Sequence, residues 1–325
     1  MSSKNATETH LADSAGIARA ATILKSGGLV AVPTETVYGL AARADSPEAV
    51  AKIYAAKSRP DFNPLIVHVA DRDAAEKIAS FDVKDAEMLA DHCWPGPLTL
   101  VLPTRPEAKL APAVTAGLPT VALRVPEHPV MQALLAACDF PLAAPSANRS
   151  GYISPTNPAH VHATLGRRVD LVLDGGDTCK EGLESTIVAV RSNRQWVELR
   201  PGPLDLQQLH DHFYGDMDKQ RPIVSKGGMD GAVQSPGQMT SHYSPGKPVR
   251  LNAEEAEPDE FFIGFFAVRG DCTLSKSGDT AEAAANLYEL LHQAAASEKP
   301  RIAVAPIPDE GIGRAINDRL RRAAA

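Results

Sequence analysis

The sequence predicts an α/β protein: a twisted, mixed open sheet with flanking helices, followed by a smaller Rossmann-like α/β unit. Three observations carry this expectation. Short apolar runs at residues 29–32, 65–69, 98–102 and 120–125 lie close to glycine or proline and read as buried strands. Stretches with apolar residues three and four apart alternate with these runs and read as amphipathic helices. From residue 221 to 248 the composition shifts: five glycines (Gly227, Gly228, Gly231, Gly237, Gly246) and four prolines (Pro222, Pro236, Pro245, Pro248) exclude a regular helix or strand. The chain therefore divides into residues 1–215, a linker at 216–248 and a second unit at 249–325.

Residues 14–26 place Ile17, Ala20, Ala21 and Leu24 on one helical face, closed by Gly27-Gly28. The strand at 29–32 runs into Thr34-Glu35-Thr36 and Tyr38-Gly39, and a helix is expected next. Ser46-Pro47-Glu48 begins that helix with a hydroxyl cap, a proline in the first turn and an acid near the positive end of the dipole. Val50, Ile53, Tyr54 and Lys57 form its inner stripe. It ends near Arg59, because the residue before a proline avoids helical backbone.

The strand at 65–69 carries His68, and residues 71–91 read as one helix, broken by Trp94-Pro95-Gly96-Pro97. Strands at 98–102, 120–125 and 141–145 follow. Ser154-Pro155-Thr156 reads as a second helix cap, and further strands are expected at 171–173 and 197–199, with the run 182–188 between them. The last unit shows a β-α-β-α pattern: strand-like 261–268, helical 281–295, strand-like 302–307 and a helix from Gly313. Arg319, Arg321 and Arg322 read as the solvated tip of that helix, with a tRNA or partner patch as the second reading.

At 325 residues the chain is long enough for two domains with sizeable cores. Hydrophobic residues at 44% and charged residues at 22% are those of an ordinary soluble globular protein. The polar opening MSSKNATETHLADS lacks a signal-peptide core, and the longest apolar run is too short to span a bilayer, so a cytoplasmic protein is expected. Cys93, Cys138, Cys179 and Cys272 include no C-x-x-C pair, which fits reduced thiols. A formal charge of −7 argues against a protein that coats nucleic acid, while leaving room for a local basic site. No P-loop, H-E-x-x-H or G-x-S-x-G run occurs, and Ile316 breaks the dinucleotide fingerprint that Gly311-Ile312-Gly313 begins. The spacings His160-x-His162 and His210-x-His212 allow a metal, but exposed histidines account for them better.

Two hydroxyls (Thr34 and Thr36), Lys57, Arg59, Asn63 and His68 fall at the ends of two strands and one helix, where open α/β sheets place small-molecule sites. Each alone has a plain structural role: Lys57 and Arg59 can satisfy the last carbonyls of their helix, Thr36 can cap, and His68 can sit in the core. Together they favour an anion site. Arg124 stands among apolar neighbours in its strand, and a buried guanidinium needs an anionic partner. That partner is either an internal carboxylate or a substrate carboxylate. The small polar residues from Ser146 to Gly151 either offer donors to phosphate or form a turn.

The runs PTETVYGL (33–40), KSRP (57–60), NPLIVHV (63–69) and APSAN (144–148) occur in an order that resembles the YrdC-like domain of threonylcarbamoyl-adenylate synthases. The likeness covers roughly the first two thirds of the chain. GLESTIV (182–188) fits the same family, and the run SHYSP (241–245) resembles the linker of its longer members, which folds over the nucleotide. The resemblance implies condensation of L-threonine, bicarbonate and ATP to threonylcarbamoyl-AMP and pyrophosphate, for the threonylcarbamoyladenosine modification of tRNA. It implies Lys57 and Arg59 as catalytic residues. ATP contacts are implied at Lys57, Arg59, Asn63, Thr120, Ser146, Asn148, Ser154, Arg200 and Tyr243, and L-threonine contacts at Thr36, His68, Arg124 and Ser185. Mg2+ would ride on the phosphates without protein ligands.

A downstream threonylcarbamoyl-transferase complex acting on tRNA is the implied partner; direct contact with tRNA is left open, and no membrane is involved. Two other classes compete. A hydrogenase-maturation carbamoyltransferase would need acylphosphatase-like and cysteine-rich zinc segments that the sequence lacks. An RNA-binding or ribosome-maturation module would need a strongly basic surface, which the net charge disfavours.

Overall fold

The computed structural model describes residues 7–176, 179–191, 195–215, 225–226 and 242–325. The chain opens with β1 (Glu8–Leu11), α1 (Ser14–Lys25), β2 (Val30–Val32), β3 (Gly39–Arg43), α2 (Pro47–Lys57) and β4 (Ile66–His68). Then come α3 (Arg72–Glu76), α4 (Lys84–Cys93), β5 (Leu98–Pro103), α5 (Pro112–Thr115), β6 (Thr120–Arg124), α6 (Pro129–Ala137) and β7 (Leu142–Ala143). The first unit continues with α7 (Pro158–Leu165), β8 (Leu171–Asp174), β9 (Thr186–Val190), β10 (Trp196–Arg200), α8 (Leu206–Tyr214) and β11 (Ser225–Lys226). The second holds β12 (Val249–Arg250), β13 (Glu260–Gly264), β14 (Cys272–Thr273), α9 (Thr280–Ala296), β15 (Arg301–Val304) and α10 (Gly313–Ala323).

Among the described residues, eleven strands form one mixed sheet in the order β1-β8-β2-β3-β7-β4-β6-β5-β9-β10-β11. β4 and β6 run parallel with His68 opposite Arg124, and β5 and β9 run parallel with Leu98 opposite Thr186. Strand periodicity divides the core. Ala31 of β2 joins Val50, Ile53 and Leu89 on one face, while Val30 and Val32 join Leu24, Met131 and Leu134 on the other. Ile66, Val101, Ala122, Ile187 and Leu199 form a separate small patch. His68 and Arg124 lie two residues beyond Ile66 and Ala122 and so emerge from that same face.

The start of α2 follows the sequence: Ser46 accepts from the amide of Ala49, with Pro47 in the first turn. Its end is set by Ser58, whose left-handed φ of 51° turns the chain so that Arg59 points back toward the sheet. The second unit is a four-stranded sheet in the order β12-β15-β13-β14, parallel at every described pairing, with α9 and α10 packed against each other. Its β-α-β-α core matches the sequence expectation, with two short edge strands added. Among the described residues no helix is long and apolar enough to cross a membrane.

Several expectations are corrected. β3 lies between Tyr38 and the helix start at Ser46, where no strand was expected; its sequence GLAAR has no alternation, since both of its faces are buried. Residues 71–91 form two helices, because Ile78, Ala79 and Phe81 leave the helix to enter the core. Ser154 caps nothing; Asn157 caps α7. Residues 225 and 226, inside the stretch expected to be irregular, pair with β10. β13 stops at Gly264, and the chain folds back so that Phe265 bridges Val268. His160 and His210, expected exposed, are buried. Arg319, expected in solvent, is 0% exposed.

The two units share a core. Val37, Ile153 and Leu183 of the first pack with Phe262, Leu287 and Tyr288 of the second. Gly182 sits directly on α9: a Cβ there would lie 2.4 Å from the carbonyl oxygen of Ala284, and its φ of +64° is itself a glycine conformation. His160 stacks on His292 at 3.7 Å between ring centroids, and Arg314 pairs with Glu198 at 2.6 Å.

Burial, with the neighbouring His292, brings His160 down to about 3, and burial likewise depresses His292. Both are held neutral in the fold, while the unfolded chain protonates them near the ordinary value of 6.5. The stability they contribute is therefore complete above pH 6.5 and is lost as the pH falls below it, for His160 at about 1.4 kcal/mol per pH unit. Thermal denaturation followed by circular dichroism should show Tm dropping between pH 7 and pH 5; a flat Tm over that range would contradict the buried, neutral pair.

Candidate active site

One cleft gathers the ends of several strands and the turn after β2. It is lined by Thr34, Thr36, Arg59, Ile66, His68, Arg124, Ser146, Glu184, Ser185, Arg200, His242 and Tyr243, together with apolar and glycine neighbours. Eight of the thirteen candidate residues therefore meet there: Thr36, Arg59, His68, Arg124, Ser146, Ser185, Arg200 and Tyr243. The cavity they enclose is about 50 Å³, room for a water or two.

The turn after β2 builds the first wall. Thr34 Oγ1 donates to the carbonyl of Val37 and accepts from the amides of Thr36 and Val37, which fixes the Thr36 hydroxyl. Arg124, at the end of β6, donates from Nη1 to Thr36 Oγ1 at 2.9 Å and from Nε to the carbonyl of Gly96 at 3.2 Å. Its Nη2 lies 2.6 Å from Glu35 Oε1, both side chains being almost wholly buried. Burial would raise the Glu35 carboxyl; the charge and hydrogen bond of Arg124, joined by backbone amides, together hold it low. The internal salt bridge and the cleft-facing position are thus both realised in Arg124. His68, beside it, is brought down to about 3 by burial and by Arg124, and is neutral. Its buried Nδ1 has no partner among the described residues.

The second wall is cationic. Arg59 donates from Nη2 to Asn63 Oδ1 at 2.6 Å and to the carbonyl of Pro64 at 2.8 Å, so Asn63 orients Arg59 and does not line the cleft. Burial, and secondarily the nearby Arg200, pulls Arg59 down to about 10, which leaves it charged at neutral pH. Lys57 is buried behind this wall. Its Nζ donates to the carbonyls of Ser146 at 2.5 Å and Asn148 at 2.6 Å, and burial together with Arg59 draws its ammonium well below the usual lysine range. Ser146 Oγ donates to Asn148 Oδ1, and the Asn148 amide holds the carbonyls of Arg149 and Tyr152. Asn148 therefore shapes the loop that presents Ser146.

Gly182-Leu183-Glu184-Ser185 forms the third wall. Ser185 Oγ bonds Thr99 Oγ1 at 2.7 Å and accepts from Arg200 Nη2 at 3.1 Å; Arg200 Nε also donates to the Ser185 carbonyl. A register shift between Glu198 and Arg200 in β10 marks a bulge, a device that re-aims side chains beside sites. Ser154 Oγ donates to Glu184 Oε1 at 2.6 Å and lies outside the cleft lining. Burial alone would raise Glu184; the Arg319 and Arg200 charges and Ser154 bring it down to about 2.

Thr120 is partly exposed at the far end of β6. It stands about 13 Å along the strand from Arg124, on the same face, and does not meet the cleft. The segment around His242 and Tyr243 closes the top: both are buried, and Tyr243 stacks on Tyr288 at 5.7 Å. Glu35, Glu184 and His242 are among the residues at the site that sequence reasoning did not select; the two acids are the charged ones. Both were visible as acids next to hydroxyl residues, between them in Thr34-Glu35-Thr36 and before them in Glu184-Ser185-Thr186. Among the described residues no three histidines, cysteines or acids gather to hold a metal.

Comparison with known proteins supplies the family. Residues 22–202 match the model described as "Telomere recombination", Sua5_yciO_yrdC, and residues 204–325 match "Threonylcarbamoyl-AMP synthase, C-terminal domain". The threonylcarbamoyl-AMP synthase of Bacillus subtilis is 39% identical, over 95% of this chain and 92% of that protein. The synthase of Pyrococcus abyssi is 37% identical over 94% of this chain and 93% of its own. The crystal structure of P. abyssi Sua5 complexed with L-threonine superposes with a TM-score of 0.83 at 32% identity, covering 98% of this chain and 96% of that one. With both of its units matched in order, and a cleft at the place where the shared motifs converge, the chain belongs to the threonylcarbamoyl-AMP synthase family.

Proposed function

We propose that the cleft condenses L-threonine, bicarbonate and ATP to threonylcarbamoyl-AMP, releasing pyrophosphate, with the nucleotide on the Lys57–Arg59–Arg200 side and threonine on the Thr36–His68–Arg124–Ser185 side. The observation that carries this division is the cluster of buried cations set beside a small polar pocket. Among the described residues Lys57, Arg59 and Arg200 have no carboxylate hydrogen-bonded to them, and their charge favours a polyanion. Arg124, held by Glu35 and Thr36, keeps a fixed guanidinium for a single carboxylate.

In this reading threonine and bicarbonate first give a carbamate and water. A carbamate oxygen then attacks the α-phosphorus of ATP, the bond to the bridging oxygen breaks, and pyrophosphate departs with the electron pair. The chain's part is to position and neutralise charge, with no protein nucleophile. Arg59 faces the phosphoryl groups, and Lys57 adds its charge from behind while holding the carbonyls of Ser146 and Asn148. Neutral His68, with its unpaired Nδ1, offers an acceptor or donor to the amino acid. Ser146 supplies a hydroxyl, and Asn63, Asn148 and Ser154 act through Arg59, the 146–152 loop and Glu184. Thr120, on the cleft's sheet face, lies at a distance an extended nucleotide spans.

Glu35 and Glu184 are engaged by Arg124 and Arg319, so Mg2+ enters on the phosphates. A 50 Å³ cavity is far below the roughly 300 Å³ of a small-molecule site, so Tyr243 and His242 must lift to admit substrates. The domain division at 1–215, 216–248 and 249–325 fits this role for the linker. The product is a reactive acyl adenylate, which calls for a downstream transferase that acts on tRNA, in the cytoplasm.

Pyrophosphate release from ATP, Mg2+ and bicarbonate should depend on L-threonine and disappear when alanine replaces it; release indifferent to threonine would end this reading. Arg59→Ala should lower kcat/KM by about 100-fold or more, as loss of a preorganised charge donor does; near-normal turnover would remove Arg59 from the phosphate site.

Arg124→Gln should raise the KM for threonine strongly and, by stranding buried Glu35, destabilise the fold by about 3 kcal/mol. The double variant Glu35→Gln/Arg124→Gln should recover the stability without recovering threonine binding. Recovery of both would make the arginine purely structural.

A further inference from the structure

The second unit reaches the cleft through two side chains. Glu184 lines the cleft, and both of its oxygens are taken: Oε1 accepts from Ser154 Oγ at 2.6 Å and from Tyr288 OH at 3.1 Å, and Oε2 from Tyr288 OH at 2.9 Å and Arg319 Nε at 2.9 Å. Tyr288 belongs to α9 and Arg319 to α10, so a carboxylate of the first unit is held chiefly by the second. The seat is tight, since Gly182, two residues before Glu184, has no space for a Cβ against α9. Arg319 also lies over the Tyr243 ring at 5.3 Å, and Tyr243 stacks on Tyr288, so the same pair fixes the aromatic that closes the cleft.

Position makes this carboxylate a hazard for the chemistry. Glu184 is close enough to Lys57 and Arg200 for its charge to act on both. Those are cations assigned above to the triphosphate. An acid free to turn toward them would compete with the nucleotide's phosphates and repel them, whereas one tied to Arg319 and Tyr288 does neither. We propose that Arg319 and Tyr288 are positioning residues of the synthase site: by sequestering Glu184 they keep the phosphate-binding cations available to ATP, which makes the second unit part of the nucleotide site. This rests on the synthase reading of the cleft.

The test uses the full chain and steady-state pyrophosphate release. Arg319→Met should raise the KM for ATP about tenfold, with a much smaller change in the KM for threonine. In the double variant Glu184→Gln/Arg319→Met the competing charge is gone, and the KM for ATP should return toward that of the wild type. An unchanged KM for ATP in Arg319→Met, or a double variant as impaired as the single one, overturns the proposal; so does an equal rise in the KM for threonine, because a merely structural pair shows no preference for ATP. If Arg319→Met fails to fold, Tyr288→Phe carries the test. It keeps the ring against Tyr243, removes one donor to Glu184, and should raise the KM for ATP about threefold, reversed by Glu184→Gln; no shift overturns the proposal. If the wild-type chain releases no pyrophosphate, the synthase reading fails on its own. Calorimetric binding of ATP to the same variants then reads out the sequestration of Glu184, with an equal Kd in wild type and variants counting against it.

Discussion

Five cations are withdrawn from water around one cleft: Lys57, Arg59, Arg124, Arg200 and Arg319, none more than 9% exposed. A buried charge costs several kcal/mol unless its surroundings answer it, and here the answers differ by position. Arg124 and Arg319 have carboxylates, Glu35 and Glu184. Lys57 and Arg59 have main-chain carbonyls, and Arg200 has the hydroxyl and carbonyl of Ser185. Among the described residues, Lys57, Arg59 and Arg200 are hydrogen-bonded to dipoles and to no carboxylate. The architecture provides those dipoles from element ends: the turn before β4, the loop after β7 and the entry to β9. The sheet, with its interleaved parallel and antiparallel strands, brings these ends together.

Much of this was legible in the sequence because it is local. The hydroxyl-proline-acid start of α2, the proline that stops it and the apolar runs of β2, β4, β5 and β6 each depend on residues within one turn or one strand. The motif residues fall at element ends, and element ends are where an α/β sheet collects them. What could not be read depends on partners far away in the chain. Arg319 looks like one of three basic residues on an exposed helix tip, and only Glu184, 135 residues earlier, makes it a buried one. β3 escapes the period-two test because both of its faces are covered. The roles of Asn63, Asn148 and Ser154 were readable as polar and near the site; that each acts on another residue and not on the cleft itself is a matter of a few ångströms.

His68 and His160 show how the same residue type is used in two ways. Both are neutral and buried, but His160 is held by Asn157, Thr156 and its stacked partner, whereas a ring nitrogen of His68 is unsatisfied among the described residues. A polar atom left so in a core is a cost with no structural return, which fits a role for His68 toward a substrate.

The shared core bears on how such a chain can evolve. Val37, Ile153 and Leu183 are apolar because α9 and its neighbours cover them, and Glu184 is tolerable in the interior because α10 neutralises it. A gene that lost the second unit by a single truncation would be left with a bared apolar patch and an unanswered acid at the mouth of its site. The two units are therefore separable only by a series of surface changes that re-wet the seam, and the first of these must fall at or beside Glu184.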